Sequence, residues 1–308
     1  IQVLERTGVN NFSRVGTIGT GFIGWIHWLS YPKVKGLEVG AVCETNTKRL
    51  SGDWTDIKGN FGPPGEQVDL SGIAKYEKLV EAANKADRLL HIGHVLPLLP
   101  EYTFARETIE SGKYGKVLGG SFKRVISDPA WLPNFYDPER IGGPMLDLHI
   151  HDAHFIRLLF GMPTSVTSSG RMRGEVVEYW NTLFKFDDPK LAVHAQSGVV
   201  NQQGRSFTHA YEIHLEKATL MFDFAVVGDK PVVCMPLTVL DDQGEVLHPE
   251  VPDGDPMLNS FAAELTEVAQ CIESGTPSQL LGANLARDAI VICQKQTESV
   301  VTGETVAV

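Results

Sequence analysis

Residues 14–24 read RVGTIGTGFIG, an apolar run that leads directly into three closely spaced glycines. The run from Arg14 to Gly19 predicts a short buried strand, and the apolar residues from Phe22 to Ser30 predict a helix that ends before Pro32. A G-x-G-x-x-G pattern between a strand and a helix is typical of dinucleotide-binding sites. The glycines allow a tight turn, a close approach of the backbone to a pyrophosphate, and close packing of the helix on the strand.

An acidic residue beyond this loop completes the predicted coenzyme site. Glu44 follows Gly24 by 20 residues, at the end of a second predicted strand, where a carboxylate can accept hydrogen bonds from an adenosine ribose. This favours NAD, because Glu44 would repel the 2′-phosphate of NADP, although Lys48 and Arg49 lie close enough in sequence to keep NADP as the alternative coenzyme. The other interpretation is an ordinary strand-to-helix turn with an exposed glutamate. The predicted cofactor-binding residues are Gly19, Thr20, Gly21, Phe22, Ile23, Gly24 and Glu44.

The order of predicted elements divides the chain into two parts. Residues 14–92 predict strand, helix, strand, a long loop over residues 51–72, helix (residues 77–86) and strand (residues 88–92), which is typical of an α/β domain. Between residues 164 and 240, several short runs alternate apolar and polar residues, which predicts an antiparallel sheet with one solvated face. We therefore expect an α/β Rossmann domain at residues 1–98 and an α+β domain at residues 99–308 with a large, open, mainly antiparallel sheet.

Composition excludes several classes of protein. The 27 basic and 38 acidic residues give a net charge of −11, and no basic cluster is present, which disfavours nucleic acid as a partner. No apolar run reaches the roughly 20 residues that a membrane-spanning helix needs. The four scattered cysteines do not form a Cys-x-x-Cys pair, which argues against a zinc ribbon. Because the first residues do not resemble a signal peptide, we expect a cytoplasmic location.

A second segment concentrates ionisable groups in an apolar helix. Residues 142–154 read GGPMLDLHIHDAH, within a predicted helix from Pro144 to Gly161. On a regular helix, at about 100° per residue, Asp147 and His151 lie about 40° apart, while His149 points the opposite way. A carboxylate one turn before a histidine can orient the imidazole and favour its protonated form. This pattern predicts His151 as a general base and Asp147 as its orienting partner.

Two other interpretations of this helix stay open. Histidines on an apolar helix can be core residues that bind the backbone or a neighbouring carboxylate, and this applies more to His149 than to His151. Three imidazoles and two carboxylates between Asp147 and His154 could also bind a metal ion. The spacing differs from His-Glu-x-x-His, and we predict no metal ligand.

Taken together, these motifs resemble the glucose–fructose oxidoreductase and inositol dehydrogenase family, called Gfo/Idh/MocA. The resemblance covers nearly the whole chain. It implies a Rossmann domain followed by a domain whose open sheet forms homodimers or homotetramers, and it implies chemistry by the residues at Asp147 and His151. One departure is His154, where many members carry Asp. The matching segments are residues 19–24, Gly93-His94, Gly112-Lys113-Tyr114-Gly115, residues 142–151 and residues 299–308 with Gly303.

A larger departure lies between the second strand and Gly93. Family members carry further strand–helix units there, including a Glu-Lys-Pro tripeptide whose lysine is catalytic. This chain has no Glu-Lys-Pro, and Gly93 follows Glu44 by only 49 positions. Either a segment has been lost near Lys75-Tyr76-Glu77-Lys78, or the chain is a degraded enzyme. We favour the loss, because removal of central strands would leave unpaired backbone groups in the sheet.

The expected activity is hydride transfer between NAD and a secondary alcohol of a sugar or cyclitol. A polyol needs many hydrogen bonds and an apolar surface from its binding site. The predicted substrate contacts are Lys123 on the first strand of the second domain, the loop residues Trp131 and Asn134, and His154. Each could instead be an ordinary surface residue. A non-catalytic dinucleotide sensor on the same fold is the alternative function, and a metal-dependent hydrolase is a third.

Overall fold

The structure is a computed structural model, and it describes residues 2–6, 13–44, 46–59, 61–76, 91–138 and 140–308. The chain forms two compact units, one made of residues 1–99 and 252–283 and the other of residues 100–251 and 284–308. The sequence predicts a single domain boundary, after residue 98, whereas the chain returns to the first unit at Pro252. The reason is that the helix Pro256–Ser274 packs on the helix Phe22–Ser30.

The elements are numbered in chain order over the described residues. The helices are α1 (Phe22–Ser30), α2 (Thr47–Leu50), α3 (Pro100–Glu110), α4 (Gly143–Asp147), α5 (Ile150–Phe160), α6 (Pro256–Ser274) and α7 (Ala283–Thr302), with short 3-10 turns at Tyr31–Lys33 and Leu96–Leu98. The strands are β1 (Gln2–Arg6), β2 (Ser13–Ile18), β3 (Leu37–Cys43), β4 (Ala74–Tyr76), β5 (Val117–Ser127), β6 (Ser165–Arg173), β7 (Val176–Lys185), β8 (Ala192–Val200), β9 (Arg205–Leu215), β10 (Ala218–Val227), β11 (Lys230–Asp241), β12 (Val246–Leu247) and β13 (Thr305–Ala307).

The first unit contains the predicted Rossmann-type sheet. Its strands lie in the order β1-β2-β3-β4, and β2, β3 and β4 run parallel. Helix α1 connects β2 to β3, as the glycine motif predicts. The long loop is also as predicted, and it is anchored by Trp54, which is fully buried, lies edge-on to Trp25 and Trp28, and donates its indole N–H to the carbonyl of Arg49.

Strand β1 covers the edge of β2 that faces away from β3. It lies in the polar segment for which the sequence predicted no strand, and it pairs antiparallel with β2 from Gln2–Thr17 to Arg6–Ser13. The expectation of unpaired backbone groups therefore does not hold at this edge. Lys75 and Tyr76 of the predicted junction lie in β4, next to β3. Glu77 and Lys78, the predicted helix at 77–86 and most of the predicted strand at 88–92 lie outside the described residues.

The second unit is built on a nine-stranded sheet in the order β12-β11-β10-β9-β5-β8-β7-β6-β13. Neighbours are antiparallel except β5 and β8, which run parallel at the centre. This confirms the expected large, mainly antiparallel sheet. On β5, the side chains of Phe122 and Arg124 contact α5, so this helix covers one face of the sheet. The opposite face is open, with Asn181, Leu183 and His194 exposed.

Two further properties concern the helices and the cysteines of the described residues. None of their helices combines the length and the apolar character needed to cross a membrane. All four cysteines are free thiols, and Cys43, Cys271 and Cys293 are buried while Cys234 is exposed.

Candidate active site

The glycine loop has the close packing that the motif predicts. A Cβ atom on Gly24 would lie 2.2 Å from the carbonyl oxygen of Gly19, so helix α1 can approach the loop only with glycine at this position. Gly19 has φ of 75° and donates its N–H to the carbonyl of Cys43 at 2.8 Å, which ties the loop to the end of β3. Gly24 and Gly19 therefore shape the turn itself.

Gly21 has a different environment from Gly24. It is the N-terminal cap of α1, and no side chain caps this end of the helix. Among the atoms of the described residues, a Cβ atom on Gly21 would meet none closer than Nη1 of Arg49 at 3.9 Å. The helix N-terminus thus presents backbone N–H groups next to space that no described atom fills, which is the arrangement that binds phosphate groups. The next two residues, Phe22 and Ile23, are half-buried and exposed respectively.

Glu44 lies directly against this loop. Its Oε2 accepts hydrogen bonds from the backbone N–H of Thr20 at 2.8 Å and from the Thr20 hydroxyl at 2.7 Å, and its Oε1 accepts the N–H of Asn46 at 2.9 Å. Thr20 is fully buried. The structure therefore brings the predicted ribose-binding carboxylate and the predicted phosphate-binding loop together, in a fixed orientation.

The two cations near Glu44 are already paired with carboxylates. Arg49 binds Asp56 at 2.8 Å, and Nζ of Lys48 lies 3.7 Å from Asp53. The hydrogen bond from Arg49 lowers the pKa of Asp56, so this carboxylate stays charged and keeps the guanidinium engaged. Lys48 and Arg49 are thus less able to attract a 2′-phosphate than the sequence alone suggested.

The predicted helix from Pro144 to Gly161 is in fact two helices. Helix α4 ends at Asp147, and α5 begins at Ile150. At the bend, the N–H of His149 donates to the carbonyl of Pro144, five residues earlier, at 2.9 Å, so the turn is wider than an α-helical turn. The angle of about 40° between Asp147 and His151 assumed an unbroken helix, and it does not apply across this bend.

Asp147 and His151 lie on the two sides of the bend. Asp147 is the last residue of α4 and is exposed, although neighbouring protein atoms partly desolvate its carboxyl group and raise its pKa. His151 lies in the first turn of α5 and is half-buried. His154 is fully buried, which leaves it no surface for the substrate contact that the sequence predicted.

His149 is a core histidine. It is fully buried, its Nδ1 lies 2.8 Å from the Ser197 hydroxyl, and Gln296 donates to its Nε2 at 3.0 Å. Burial lowers the pKa of His149 to about 4, so the ring is neutral near neutral pH. This agrees with the core interpretation of His149, because both ring nitrogens lie against protein partners. In the described part of the chain, no three His, Cys, Asp or Glu side chains are placed to hold a metal ion.

The neutral state of His149 predicts a loss of stability in acid. Unfolded histidine binds a proton below about pH 6.5, whereas folded His149 does so only near pH 4. Its contribution to the free energy of unfolding is therefore complete above about pH 6.5 and decreases as the pH falls from there toward the folded pKa. Urea unfolding at several pH values should show a shallower acid loss for His149→Gln than for the wild type. Parallel pH dependences would contradict this prediction.

The loop before α4 packs on the bend. Phe135 of this loop is buried in one apolar cluster with Leu148 of the bend and with Ile126 and Val199 at the ends of β5 and β8. The loop also carries the predicted substrate residues Trp131 and Asn134. The Trp131 side chain is 54% exposed, and Asn134 is exposed with φ of 64°. These two residues therefore belong to a segment in direct contact with the bend between Asp147 and His151.

Lys123 does not belong to this group. It lies on the open face of the sheet, opposite to Arg124, because neighbouring residues of a strand point to opposite faces. Its Nζ binds Asp223 at 3.0 Å in a cleft of about 350 Å³ that also includes Gln196 and Met221. Lys123, a predicted substrate contact, therefore lies on the opposite side of the sheet from helix α5.

A buried ion pair that the sequence did not predict lies next to His151. Nε of Arg124 donates to Oδ2 of Asp152 at 2.5 Å, and Nη2 donates to Oδ1 at 3.2 Å. Both residues are almost completely buried. The signal was present in the sequence, since Arg124 interrupts the apolar strand β5 and Asp152 lies among the apolar residues of α5, but their pairing depends on contacts between distant segments.

Comparisons with known proteins agree with this architecture. Residues 102–221 match the family model described as GFO/IDH/MocA C-terminal domain. None of the curated proteins matches the chain. Levoglucosan dehydrogenase in complex with NADH and levoglucosan is similar with a TM-score of 0.70 and 16% identity, over 97% of this chain and 100% of that chain. An oxidoreductase from Agrobacterium radiobacter in complex with NAD+, L-tartaric acid and magnesium is similar with a TM-score of 0.65 and 16% identity, over 95% of this chain and 97% of that chain.

At these identities the solved structures establish a shared fold. The family match covers strands β5–β9 of the nine-stranded sheet with helices α4 and α5. The predicted resemblance to Gfo/Idh/MocA proteins is thereby confirmed for residues 102–221, which match the C-terminal domain of that family.

Proposed function

We propose that this protein is an NAD-dependent dehydrogenase that oxidises a secondary alcohol of a sugar or cyclitol. The proposal rests on the geometry at the start of α1. Gly24 allows the helix to pack closely on the loop, and Glu44 accepts hydrogen bonds from Thr20. Levoglucosan dehydrogenase, in complex with NADH and levoglucosan, and the oxidoreductase in complex with NAD+ and L-tartaric acid have a similar fold. Their ligands support a nicotinamide coenzyme and a polyhydroxylated substrate.

The described residues fit a dinucleotide. The uncapped N-terminus of α1 at Gly21 would hold the pyrophosphate, and Glu44 would accept hydrogen bonds from the adenosine ribose. When bound, the nicotinamide supplies the hydride acceptor. The charge of Glu44 and the carboxylate-paired cations next to it favour NAD over NADP.

The polypeptide would supply placement and proton transfer. His151 accepts the proton of the substrate hydroxyl, and Asp147 orients either His151 or a second hydroxyl. Trp131 offers an exposed apolar ring for the sugar face, and Asn134 offers amide hydrogen bonds. The sequence contains no Glu-Lys-Pro tripeptide, and none of the residues named here replaces its lysine. His151 is proposed as the base because of its own position in the first turn of α5.

Incubation with a panel of sugars, inositols and sugar acids tests this function. We expect reduced nicotinamide to accumulate with NAD and at least one of these substrates. Binding of NAD without turnover of any substrate would instead identify a non-catalytic dinucleotide sensor, which the missing Glu-Lys-Pro favours as the second candidate. If the protein neither binds NAD nor turns over any substrate, both functions are contradicted.

Coenzyme choice gives a separate prediction at Glu44. In thermal-shift titrations, NAD should stabilise the wild type at lower concentrations than NADP. Glu44→Ala should weaken NAD binding by roughly tenfold, the loss of about one charged hydrogen bond, and should reduce the preference for NAD. Glu38→Ala, at an exposed position of strand β3, which directly precedes Glu44, is the matched control and should bind as the wild type does. Unchanged NAD affinity in Glu44→Ala would remove Glu44 from the coenzyme site.

The open face of the nine-stranded sheet is the proposed site of self-association into a homodimer or homotetramer. Its exposed apolar side chains, among them Leu183 at 61% and Leu240 at 38%, support a partner on this face. Light scattering coupled to size-exclusion chromatography measures the assembly, and a monomer at micromolar concentration would contradict it.

A further inference from the structure

We propose that Arg124 and Asp152, together with His149, form a buried brace that fixes the bend between α4 and α5 and thereby positions His151. The inference rests on the proposed function in one respect, since it assigns a purpose to the position of His151. It concerns residues to which the family motif gives no role. Arg124 and Asp152 are positioning residues, because neither is exposed to a substrate.

The bend is held at successive positions by contacts to different elements. Leu148 is buried against Ile126 and Val199, at the carboxyl ends of the parallel strands β5 and β8. His149, the next residue, binds Ser197 of β8 and Gln296 of α7 through its two ring nitrogens. Asp152, in the first turn of α5, binds Arg124 of β5 with both carboxylate oxygens. His151 is therefore flanked on both sides by anchored residues.

The brace contains one positive and one negative side chain, which lie next to each other. The guanidinium of Arg124 and the carboxylate of Asp152 compensate each other, and Nδ1 of His149 lies 3.8 Å from Oδ2 of Asp152. Arg124 also packs over the ring of Phe207 at 5.6 Å, so its planar group has contacts beyond the carboxylate. The pair thus joins β5 to the start of α5 through two directional hydrogen bonds.

Stability alone does not explain such a pair. Replacement of a buried ion pair by apolar residues of similar volume is often neutral or stabilising, because the desolvation of both charges offsets their attraction. Apolar residues would cover the same surface, but their contacts are not directional. The bidentate Arg124–Asp152 pair fixes the rotation of the first turn of α5, and this rotation sets the direction of the His151 imidazole.

The test replaces the whole pair, so that no buried charge is left unpaired. The double variant Arg124→Met/Asp152→Leu is compared with Arg157→Met/Asp288→Leu, which removes the ion pair between the last turn of α5 and α7. Both pairs anchor the same helix, but only the first lies next to His151. Circular dichroism and thermal melting establish that each variant is folded. If the first double variant does not fold, Arg124→Lys takes its place, because it keeps both charges but loses the bidentate geometry of the guanidinium.

The first readout does not require turnover. The first measurement is the NMR signal of the His151 ring in protein that is isotopically labelled at histidine. This signal is assigned by its loss in His151→Gln. We expect this signal to shift or broaden in Arg124→Met/Asp152→Leu and to keep its wild-type position in Arg157→Met/Asp288→Leu. A His151 signal that is the same in both folded variants and in the wild type would overturn the brace.

The second readout is steady-state kinetics with the best substrate from the polyol panel. We expect kcat to fall roughly 10- to 100-fold in the brace variant, the cost of a misplaced catalytic group, with KM and NAD affinity nearly unchanged. The control variant should stay within about twofold of the wild type in kcat. An unchanged kcat in the brace variant would also overturn the brace. If the wild type oxidises no alcohol, the proposed function fails, and the histidine signal still decides whether the brace positions His151.

Discussion

Replacement of His151 by alanine is expected to reduce kcat by roughly 10²- to 10⁴-fold, the range that a positioned general base contributes. The imidazole is half-buried in the first turn of α5, so its loss removes the proton acceptor without emptying a core position. NAD binding should stay nearly intact, because the coenzyme contacts proposed here lie on the glycine loop and Glu44. Stopped-flow or steady-state formation of reduced nicotinamide measures kcat, and thermal shift measures binding.

The matched control for this variant is His194→Ala. His194 is also a histidine of the second unit, but it is exposed on the open face of the sheet, away from α5. It should retain wild-type kcat. If His151→Ala turned over at the wild-type rate, His151 would not be the base, and the proton acceptor would have to be sought elsewhere.

Replacement of Gly24 by alanine is expected to have the largest effect on the coenzyme site as a whole. The added methyl group would meet the carbonyl oxygen of Gly19 at 2.2 Å, and neither backbone can move without separating α1 from the loop. Elsewhere in a helix this change is stabilising by up to about 1 kcal/mol. Here we expect a loss of about 1 to 3 kcal/mol from overpacking and a large loss of NAD affinity.

Gly21→Ala distinguishes the two roles of glycine in this loop, which are close helix packing at Gly24 and access of a phosphate at Gly21. A methyl group at Gly21 would meet no described atom closer than 3.9 Å, and its φ of −69° suits alanine, so stability should change by less than about 1 kcal/mol. NAD affinity should still fall, by roughly tenfold or more, because the methyl group occupies the space through which a pyrophosphate would approach the helix N-terminus. Urea unfolding and NAD titration of both variants measure the contrast. Wild-type NAD affinity in Gly21→Ala would contradict the proposed phosphate site.

Local sequence patterns determine the coenzyme loop well. The strand, the glycines and the helix follow each other within residues 14–30, so short-range sterics alone specify the turn, and the spacing to Glu44 follows from the length of one helix and one strand. The same holds for the alternation that predicts the antiparallel sheet, since a strand with one solvated face must alternate. These features depend on neighbours in sequence, and the structure contains each of them.

Long-range contacts decide what the sequence left open or predicted wrongly. The polar segment of β1 becomes a strand only because the edge of β2 offers hydrogen bonds. The helix after Gly143 bends at Leu148 because partners on β5, β8 and α7 bind residues 148, 149 and 152, and no periodicity within the helix indicates this. Lys123 of β5 binds Asp223 of β10, 100 residues later in the chain, and no local pattern indicates this pairing.

The sequence by itself thus determined the two kinds of domain, the glycine loop with Glu44, and the segment that carries Asp147 and His151, because each depends on residues within one or two elements. Only the tertiary structure decided that β1 completes the sheet edge, that Asp147 and His151 lie across a bend, and that Arg124 and Asp152 hold this bend. Those outcomes depend on which distant groups can satisfy a buried charge or an unpaired backbone group, and this is settled only when the chain is folded.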